Sequence, residues 1–314
     1  MSEQFRIAII GSGPAGLSAA AHASELKVSH VLLESEQHAA DTIYKYQKGK
    51  HVMAEPGVLP LRSPMSFSAG TRENIINTWD SELKQHAVNI RYGAQVTGVT
   101  GKKGAFTITL ANQQTVQAAS IILAIGLQGN LRKLGAPGED LPVVQYQLDD
   151  PEEFDGETII VVGAGDAAIE NAIALARQNN VILINRNEEF ARCKEGNLSA
   201  VLAAIKDGKV DCRYGTRVEK VELEPSADGM PAKFHAKTPQ GAETIGCHRI
   251  IARLGATPPR KLVESFGVTF PNSDPGAVPV LSPQYESNVP GIYIVGALGG
   301  YPLIKQAMNQ GYEA

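Results

Sequence analysis

The chain has 314 residues, is 43% hydrophobic and 20% charged, and carries a formal net charge of -4. That length suits two domains at about 100 to 200 residues each; the slight acidic excess, with signs scattered, argues against nucleic acid as a partner, and no apolar run approaches the ~20 residues that cross a bilayer, so no membrane partner is expected. Three cysteines, Cys193, Cys212 and Cys247, are too few and too far apart for a disulfide framework or a zinc cluster, and Met1-Ser2-Glu3-Gln4-Phe5-Arg6 leads into the first strand without a signal peptide's apolar segment, so the expected location is cytoplasmic.

The first strand, Ile7-Ala8-Ile9-Ile10, feeds into Gly11-Ser12-Gly13-Pro14-Ala15-Gly16 and then an Ala-rich helical stretch from Leu17 to Leu26. In this Gly-x-Gly-x-x-Gly pattern the first glycine makes the turn, the second lets backbone approach a pyrophosphate, and the third lets the helix pack on the strand. A second apolar run, His30-Val31-Leu32-Leu33, ends in Glu34, where an acid conventionally holds a ribose hydroxyl. Strand, helix and acid together point to a bound dinucleotide.

The stretch Ser35 to Pro64 is polar and irregular, too long for an idle loop, yet studded with Ile43, Tyr44, Tyr46, Val52, Met53 and Leu59, which argue against disorder. Helical spacing follows from Thr71 to His86. Short strands are expected over Val88 to Val99, Ala105 to Leu110 and Thr115 to Ala118, and a buried strand over Ile121 to Gly126. Leu127 to Gly156, rich in Gly, Pro and acids, reads as a linker. Then the opening pattern returns: Thr158-Ile159-Ile160-Val161-Val162 runs into Gly163-Ala164-Gly165-Asp166-Ala167-Ala168 and a helix to about Gln178, with Val181 to Ile184 repeating the second strand. Arg249 to Gly255 echoes Ser120 to Gly126. Near the end, Gly291 to Gly296 supplies one more buried strand, followed by a helix beginning near Pro302. That helix stops at Glu313-Ala314 without a C-terminal signal, from which a longer natural chain is expected.

Glu34 lies 23 residues after Gly11, and the residue 23 after Gly163 is Arg186. An acid there pairs with a ribose hydroxyl and repels a 2′-phosphate; an Arg does the reverse. The first site is therefore expected to take FAD and the second NADPH, with Arg192 as a second phosphate contact. The plain alternative for Arg186 is a solvated arginine at a strand end. Two such sites in one chain mean most simply that hydride passes from a nicotinamide to a flavin, with no side chain nominated as catalytic.

These motifs, taken in order from Gly11 to Gly16 through Ile121 to Gly126, Val161 to Glu170 and Gly291 to Gly296, resemble the thioredoxin reductase-like pyridine nucleotide flavoproteins across essentially the whole chain. The resemblance implies an α/β fold of two Rossmann-like FAD/NAD(P)-binding domains, one inserted into the other: a discontinuous FAD domain, 1–125 and 256–314, and an NAD(P) domain, 126–255. It maps Gly296, Lys305, Gln306 and Ala307 onto flavin contacts, and the candidate cofactor set is completed by Ser35, Thr42, Val96, Ala124, Gly126, Gly163, Gly165, Asp166, Ala167 and Ala297.

The chain departs from that family in three places. Thioredoxin reductases carry Cys-x-x-Cys just before the second motif, where Val143 to Asp150 holds no cysteine, so nothing can pass electrons to a protein disulfide. Ala297 replaces the usual acid after the last strand. The His-Arg-Arg cluster for a 2′-phosphate survives as Asn185-Arg186-Asn187, which favours NADPH and admits NADH. The leading expectation is an FAD-dependent oxidoreductase that takes hydride from NADPH and hands electrons to a protein carrier: ferredoxin, flavodoxin or an attached iron-sulfur module. Two alternatives stand beside it, a reductase of a small disulfide or quinone and a redox- or nucleotide-sensing regulatory module. Family members are commonly homodimers.

Lesser features carry two readings each. Cys193 follows the arginine stretch, which could lower a thiol pKa, or it is a plain cysteine. Cys212 and Cys247 read as buried small residues. His51 either steers an acceptor or is structural, and Lys45, Lys48 and Lys50 form either a docking patch for an acidic carrier or a solvated loop.

Overall fold

The computed structural model describes residues 4–127, 129–225 and 228–314. Met1, Ser2 and Glu3, read above as running directly into the first strand, and Gln128, within the interval read as a linker, lie outside them. The chain divides into two compact units, Met1–Asn130 with Thr257–Ala314, and Leu131–Ala256.

In the first unit the elements run β1 (Gln4–Ile10), α1 (Pro14–Glu25), β2 (His30–Leu33), α2 (Asp41–Tyr44), β3 (His51–Val52), β4 (Gly70–Thr71), α3 (Arg72–Gln85), β5 (Ile90–Arg91), β6 (Val96–Lys102), β7 (Ala105–Leu110) and β8 (Thr115–Leu123). The second unit holds β9 (Val144–Gln145), β10 (Thr158–Val162), α4 (Asp166–Leu175), β11 (Asn180–Ile184), α5 (Glu195–Lys206), β12 (Val210–Arg213), β13 (Arg217–Glu222), β14 (Ala232–Thr238), β15 (Gly241–Cys247) and β16 (Arg249–Ala252). The chain then returns to the first unit with α6 (Arg260–Ser265), β17 (Ile292–Ile294) and α7 (Ile304–Glu313).

The first sheet has the order β5-β2-β1-β8-β7-β6, with β17 also on β8. Successive side chains of a strand point to opposite faces, and this divides the core in two. Ile9, Leu32 and Ile122 meet Leu17 of α1, Trp79 of α3 and Met308 of α7 on one face. Ala8, Ile10, Val31, Leu33 and Leu123 meet Phe106, Phe266 and Ile294 on the other. Burial on both sides explains why β1 and β2 read as unbroken apolar runs, as in other covered parallel sheets. α3 begins where Thr71 caps it, its hydroxyl accepting from Asn74 N.

The second unit repeats the scheme with a five-stranded parallel sheet, β12-β11-β10-β16-β9. One face packs on α4 and α5 through Ile159, Val161, Ala168, Leu183 and Val201. The other packs on the antiparallel β13-β14-β15 sheet through Val221, Phe234 and Ala236.

Three expectations change. The strands read separately at Thr115 to Ala118 and Ile121 to Gly126 are one continuous β8, ending at Leu123. Its residues 115–118 pair with β7, its 121–123 pair with β17, and its opposite edge pairs with β1. The supposed linker contributes β9 to the second sheet, where Val144 and Gln145 pair with Ile250 and Ile251. The last helix starts at Ile304, with Leu303 as its N-cap.

Candidate functional site: two glycine-rich cradles

The first cradle sits where β1 turns into α1. Gly11 has φ +97°, and a Cβ on it would lie 2.7 Å from Ala124 O, so only glycine serves there. Its amide donates to Leu33 O at 2.8 Å, tying the turn to the end of β2. A side chain on Gly16 would be driven into the Gly11 carbonyl and would stand 3.2 Å from Ala124 Cβ, whereas a Cβ on Gly13 would meet, among the described residues, only Ala124 O at 3.8 Å. The loop is thus closed by protein on the Gly11 and Gly16 sides and open above Gly13, and Pro14 starts α1 at a position whose missing N–H costs nothing.

Glu34 is 5% exposed and gathers the loop. Its carboxylate accepts from Ser12 N at 2.9 Å and from the Ser12 hydroxyl, and also from Ser35 Oγ at 3.0 Å and Glu36 N at 2.9 Å. Ser12 further fixes the segment leading to Thr42, because Ala40 N donates to Ser12 O at 3.0 Å. Ser35 is exposed and Thr42 half-buried. Val96 is buried at the head of β6, just past Ala94, whose amide donates to Glu34 O at 2.7 Å. Gly126, partly exposed, follows the buried Ala124.

The residues from the far end of the chain join this cradle through α7. A Cβ on Gly296 would be 3.2 Å from Ala15 Cβ and 3.6 Å from Ala307 Cβ, and Gly296 N donates to Gln310 Oε1 at 2.8 Å. Ala297 is half-buried in the 3₁₀ turn that follows, Gln306 is half-buried, and Ala307 is buried. Lys305 reaches elsewhere: its Nζ donates to Pro56 O at 2.9 Å. What Lys305 offers at the start of α7 is its backbone amide, one of the first few that lack an intrahelical partner. Asn309 works beside it, donating to Pro60 O at 2.9 Å and accepting from Arg62 N at 2.8 Å. These latches span 247 and 249 residues of sequence and left no local signal.

The second cradle repeats the first with different chemistry at its rim. Gly163 has φ +140° and, like Gly11, hydrogen-bonds the end of the neighbouring strand, here Ile184 O at 3.1 Å. Among the described residues nothing lies within 4 Å of a Cβ built on Gly165, and Ala168 is fully buried. Asp166 and Ala167 open α4 and are half-buried.

The strand register corrects the residue count that equated Arg186 with Glu34. Glu34 N donates to Arg91 O on the next strand, and the amide making the same bond in the second unit is that of Asn185, to Arg213 O. Glu36 N donates to Glu34 Oε1, and likewise Asn187 N to Asn185 Oδ1, at 3.0 Å. Asn185, fully buried, therefore stands in the place of Glu34, and the exposed Arg186 stands in the place of Ser35. The second unit is one residue shorter between first glycine and rim, which a count from the glycine cannot register. Asn185, read in sequence only as part of the Asn185-Arg186-Asn187 remnant of a 2′-phosphate cluster, was passed over for Arg186 as the rim residue, although an Asn two residues before another polar residue at a strand end is an Asx-turn signal. Arg192 is also exposed.

The minor candidates sort by their surroundings. Lys45 is neutralised by Asp41 at 2.7 Å and Glu36 at 3.7 Å, and Lys50 Nζ lies 4.4 Å over the Tyr46 ring. Lys48 and His51 are exposed. Burial pushes the Cys247 thiol up to about 12 and that of Cys212 to about 11. Cys193 is raised too, by burial and then by the Asp166 carboxylate, so the nearby arginines do not activate it. In the folded protein at pH 8 iodoacetamide should therefore modify Cys193 first, since a thiol shifted by three units presents about a thousandfold less thiolate. Peptide mapping that finds Cys247 alkylated first would contradict this.

The sequence profile described as Pyridine nucleotide-disulphide oxidoreductase matches residues 8–296. A ferredoxin--NADP reductase of Ignicoccus hospitalis is 27% identical over 311 residues, covering 98% of this chain and 94% of the relative. One from Levilactobacillus brevis is 27% identical over 327 residues, covering 99% and 91%. Among solved structures, the bacillithiol disulfide reductase Bdr of Staphylococcus aureus superposes with a TM-score of 0.87 at 20% identity, covering 99% of this chain and 97% of that one. The thioredoxin reductase of Lactococcus lactis gives 0.81 at 23% identity, covering 99% and 96%. The fold is thus the thioredoxin reductase-like pairing of two nucleotide-binding domains. The chain belongs to the pyridine nucleotide-disulphide oxidoreductase family. It is an NAD(P)H-dependent flavoprotein oxidoreductase, and its cradles fit a flavin and a nicotinamide dinucleotide, since the space over Gly13 and Gly165 is the space a side chain would fill. Among the described residues no helix is long and apolar enough to cross a membrane.

Proposed function

We propose that the first unit holds FAD, the second holds NADPH, and the protein passes electrons to a one-electron carrier of the ferredoxin type. Three facts support this reading: two cradles with unlike rims, the absence of any Cys-x-x-Cys in the sequence, and curated relatives named ferredoxin--NADP reductase. The observation that carries it is the contrast between Glu34 and the Asn185–Arg186 pair. The FAD domain is then 1–125 with 256–314 and the NAD(P) domain 126–255. The overall reaction balances as NADPH plus two oxidised carriers giving NADP⁺, a proton and two reduced carriers.

When bound, the flavin supplies the exchange between one hydride and two single electrons. The chain's own groups hold and orient. The Glu34 carboxylate, oriented by Ser12 and Ser35, accepts from a ribose hydroxyl. The backbone at Gly13 and Gly165, heading α1 and α4, meets pyrophosphates at the positive helix ends. Gly296, Ala297, the leading amides of α7 at Lys305 and Gln306, and the Ala307 side chain face the flavin, the Ala307 amide itself closing the first helical turn on Leu303 O at 2.9 Å. Ser35, Thr42, Val96, Ala124 and Gly126 line the remainder of that site. Arg186 and Arg192 meet a 2′-phosphate, which a guanidinium grips through paired donors. Flavodoxin or an iron-sulfur module would serve as the same kind of acceptor, the working form would be a homodimer, and the cytoplasm, where thiols stay reduced, is the compartment implied.

Anaerobic mixing with NADPH should bleach the flavin's visible absorbance within seconds, at ordinary turnover rates. Adding oxidised ferredoxin should restore the colour. A flavin untouched by NADPH rejects the proposal, and recovery only with small disulfides or quinones reassigns the acceptor.

A further inference from the structure

In both units the cradle also seizes the start of the next helix, but with different groups. In the first, Ala40, which caps α2, gives its amide to Ser12 O at 3.0 Å and Ser12 Oγ at 3.3 Å. In the second, Ala164 occupies the position of Ser12 and has no hydroxyl to offer. The capture there is made by Asp166. Its Oδ1 accepts from the amide of Lys194, the N-cap of α5, at 2.8 Å, and from Asn197 Nδ2 at 2.7 Å. Asn197 Nδ2 also reaches Glu170 Oε1 at 3.1 Å, one turn further along α4. The result is a clasp between the first turns of α4 and α5.

The clasp closes a loop, residues 185–194, whose other fixings are also visible. At its start the buried Asn185 accepts from Asn187 N and donates to Glu189 O at 3.1 Å. In its middle Phe190 is buried, with the Tyr214 ring edge-on at 5.7 Å. Cys193 points its thiol at Phe190 O, 3.5 Å away. Arg186 lies before Phe190 and Arg192 after it, both exposed.

We infer that Asp166 is a positioning residue for the 2′-phosphate: by pinning the head of α5 it fixes the loop that presents Arg186 and Arg192. The inference rests on the NADPH reading given above. A carboxylate at the first position of a phosphate-binding helix would on charge alone repel the ligand. Two donors instead hold Asp166 to the neighbouring helix, where its effect on nucleotide passes through the loop. A loop ordered beforehand need not be ordered at the moment of binding, which strengthens the contacts it makes. Removing the clasp should therefore weaken the grip on the 2′-phosphate more than the grip on the shared adenosine 5′-phosphate.

The test uses the full-length, FAD-loaded protein and calorimetric titration with 2′,5′-ADP and 5′-AMP, which differ at the 2′-phosphate. Wild type should bind 2′,5′-ADP at least about tenfold more tightly. Asp166→Ala should shrink that ratio to about threefold or less, while Asp166→Asn, which keeps an acceptor oxygen for Lys194 N, should retain most of it. Asn197→Ala, which leaves one donor in place, should fall between. Labelling of Cys193 by a disulfide reagent, without nucleotide and with Cys193→Ser as the control, should be several-fold faster in Asp166→Ala. An unchanged ratio together with unchanged labelling overturns the inference. Equal loss for both probes also overturns it, since the carboxylate would then bear on the shared phosphate. If wild type itself fails to distinguish the probes, the NADPH reading falls, and Cys193 labelling still judges the clasp.

Discussion

Gly311→Ala should destabilise this protein, although the same change at an exposed helix interior would stabilise it by about 1 kcal/mol. Gly311 lies in α7, where a Cβ would be pressed into the carbonyl of Ala15, with the carbonyl carbon at 2.8 Å. Because the obstacle is backbone at the first turn of α1, no rotamer relieves it, and α7 must move away. Overpacking of this kind costs roughly 1 to 3 kcal/mol, enough to reverse the sign of the propensity gain. The displacement would also disturb Gly296, whose amide is held by Gln310 of the same helix, so FAD occupancy after purification should drop alongside. Urea melts and the ratio of flavin to protein absorbance check the two effects. A higher midpoint for the alanine variant would show that the two helices are not packed as described.

The largest functional effect is expected at the rim of the second cradle. Arg186→Ala should lower kcat/KM for NADPH by about 10- to 100-fold, the value of a charged hydrogen bond at roughly 1.5 to 3 kcal/mol, with a far smaller change for NADH. Full reversal needs both rim residues. Since Asn185 occupies the place of Glu34 and Arg186 that of Ser35, the pair Asn185→Glu with Arg186→Ser writes the first site's rim into the second. An acid there accepts from a free ribose hydroxyl and repels a 2′-phosphate, so this double variant should prefer NADH. Arg186→Glu alone leaves the buried amide in place and should lose NADPH without gaining NADH to the same degree. If Arg186→Glu makes the better NADH enzyme, the residue count was right and the strand register wrong. Steady-state kinetics with both coenzymes decides the matter.

The two glycine motifs and their flanking strands were legible because everything they require is local: a tight turn, an open approach and a helix packed on a strand within some twenty residues. The rim was legible only to within one position, since a count assumes equal helices and α4 is shorter than α1. β8 read as two strands because the polar Ser120 interrupts its apolar pattern, whereas the backbone continues by changing partners from β7 to β17. β9 was hidden among Pro, Gly and acids, since a two-residue strand has no period to detect. The hold of α7 on residues 56–62 was beyond reach altogether. It rests on an ammonium and an amide bonded to carbonyls across nearly the whole sequence, and nothing in Lys305 or Asn309 announces such partners.

The insertion of residues 131–256 between two parts of the first unit dictates an order of assembly on the ribosome. When the middle portion has emerged, every strand and helix of its own core is already available. The earlier portion still lacks β17, which must line up beside β8, and the last helix, which must cover α1. Closing contacts between such remote segments is slow, and it cannot begin before the final stretch is translated. A nascent chain stalled with residue 256 just outside the tunnel should thus yield a protease-resistant middle and a digestible beginning.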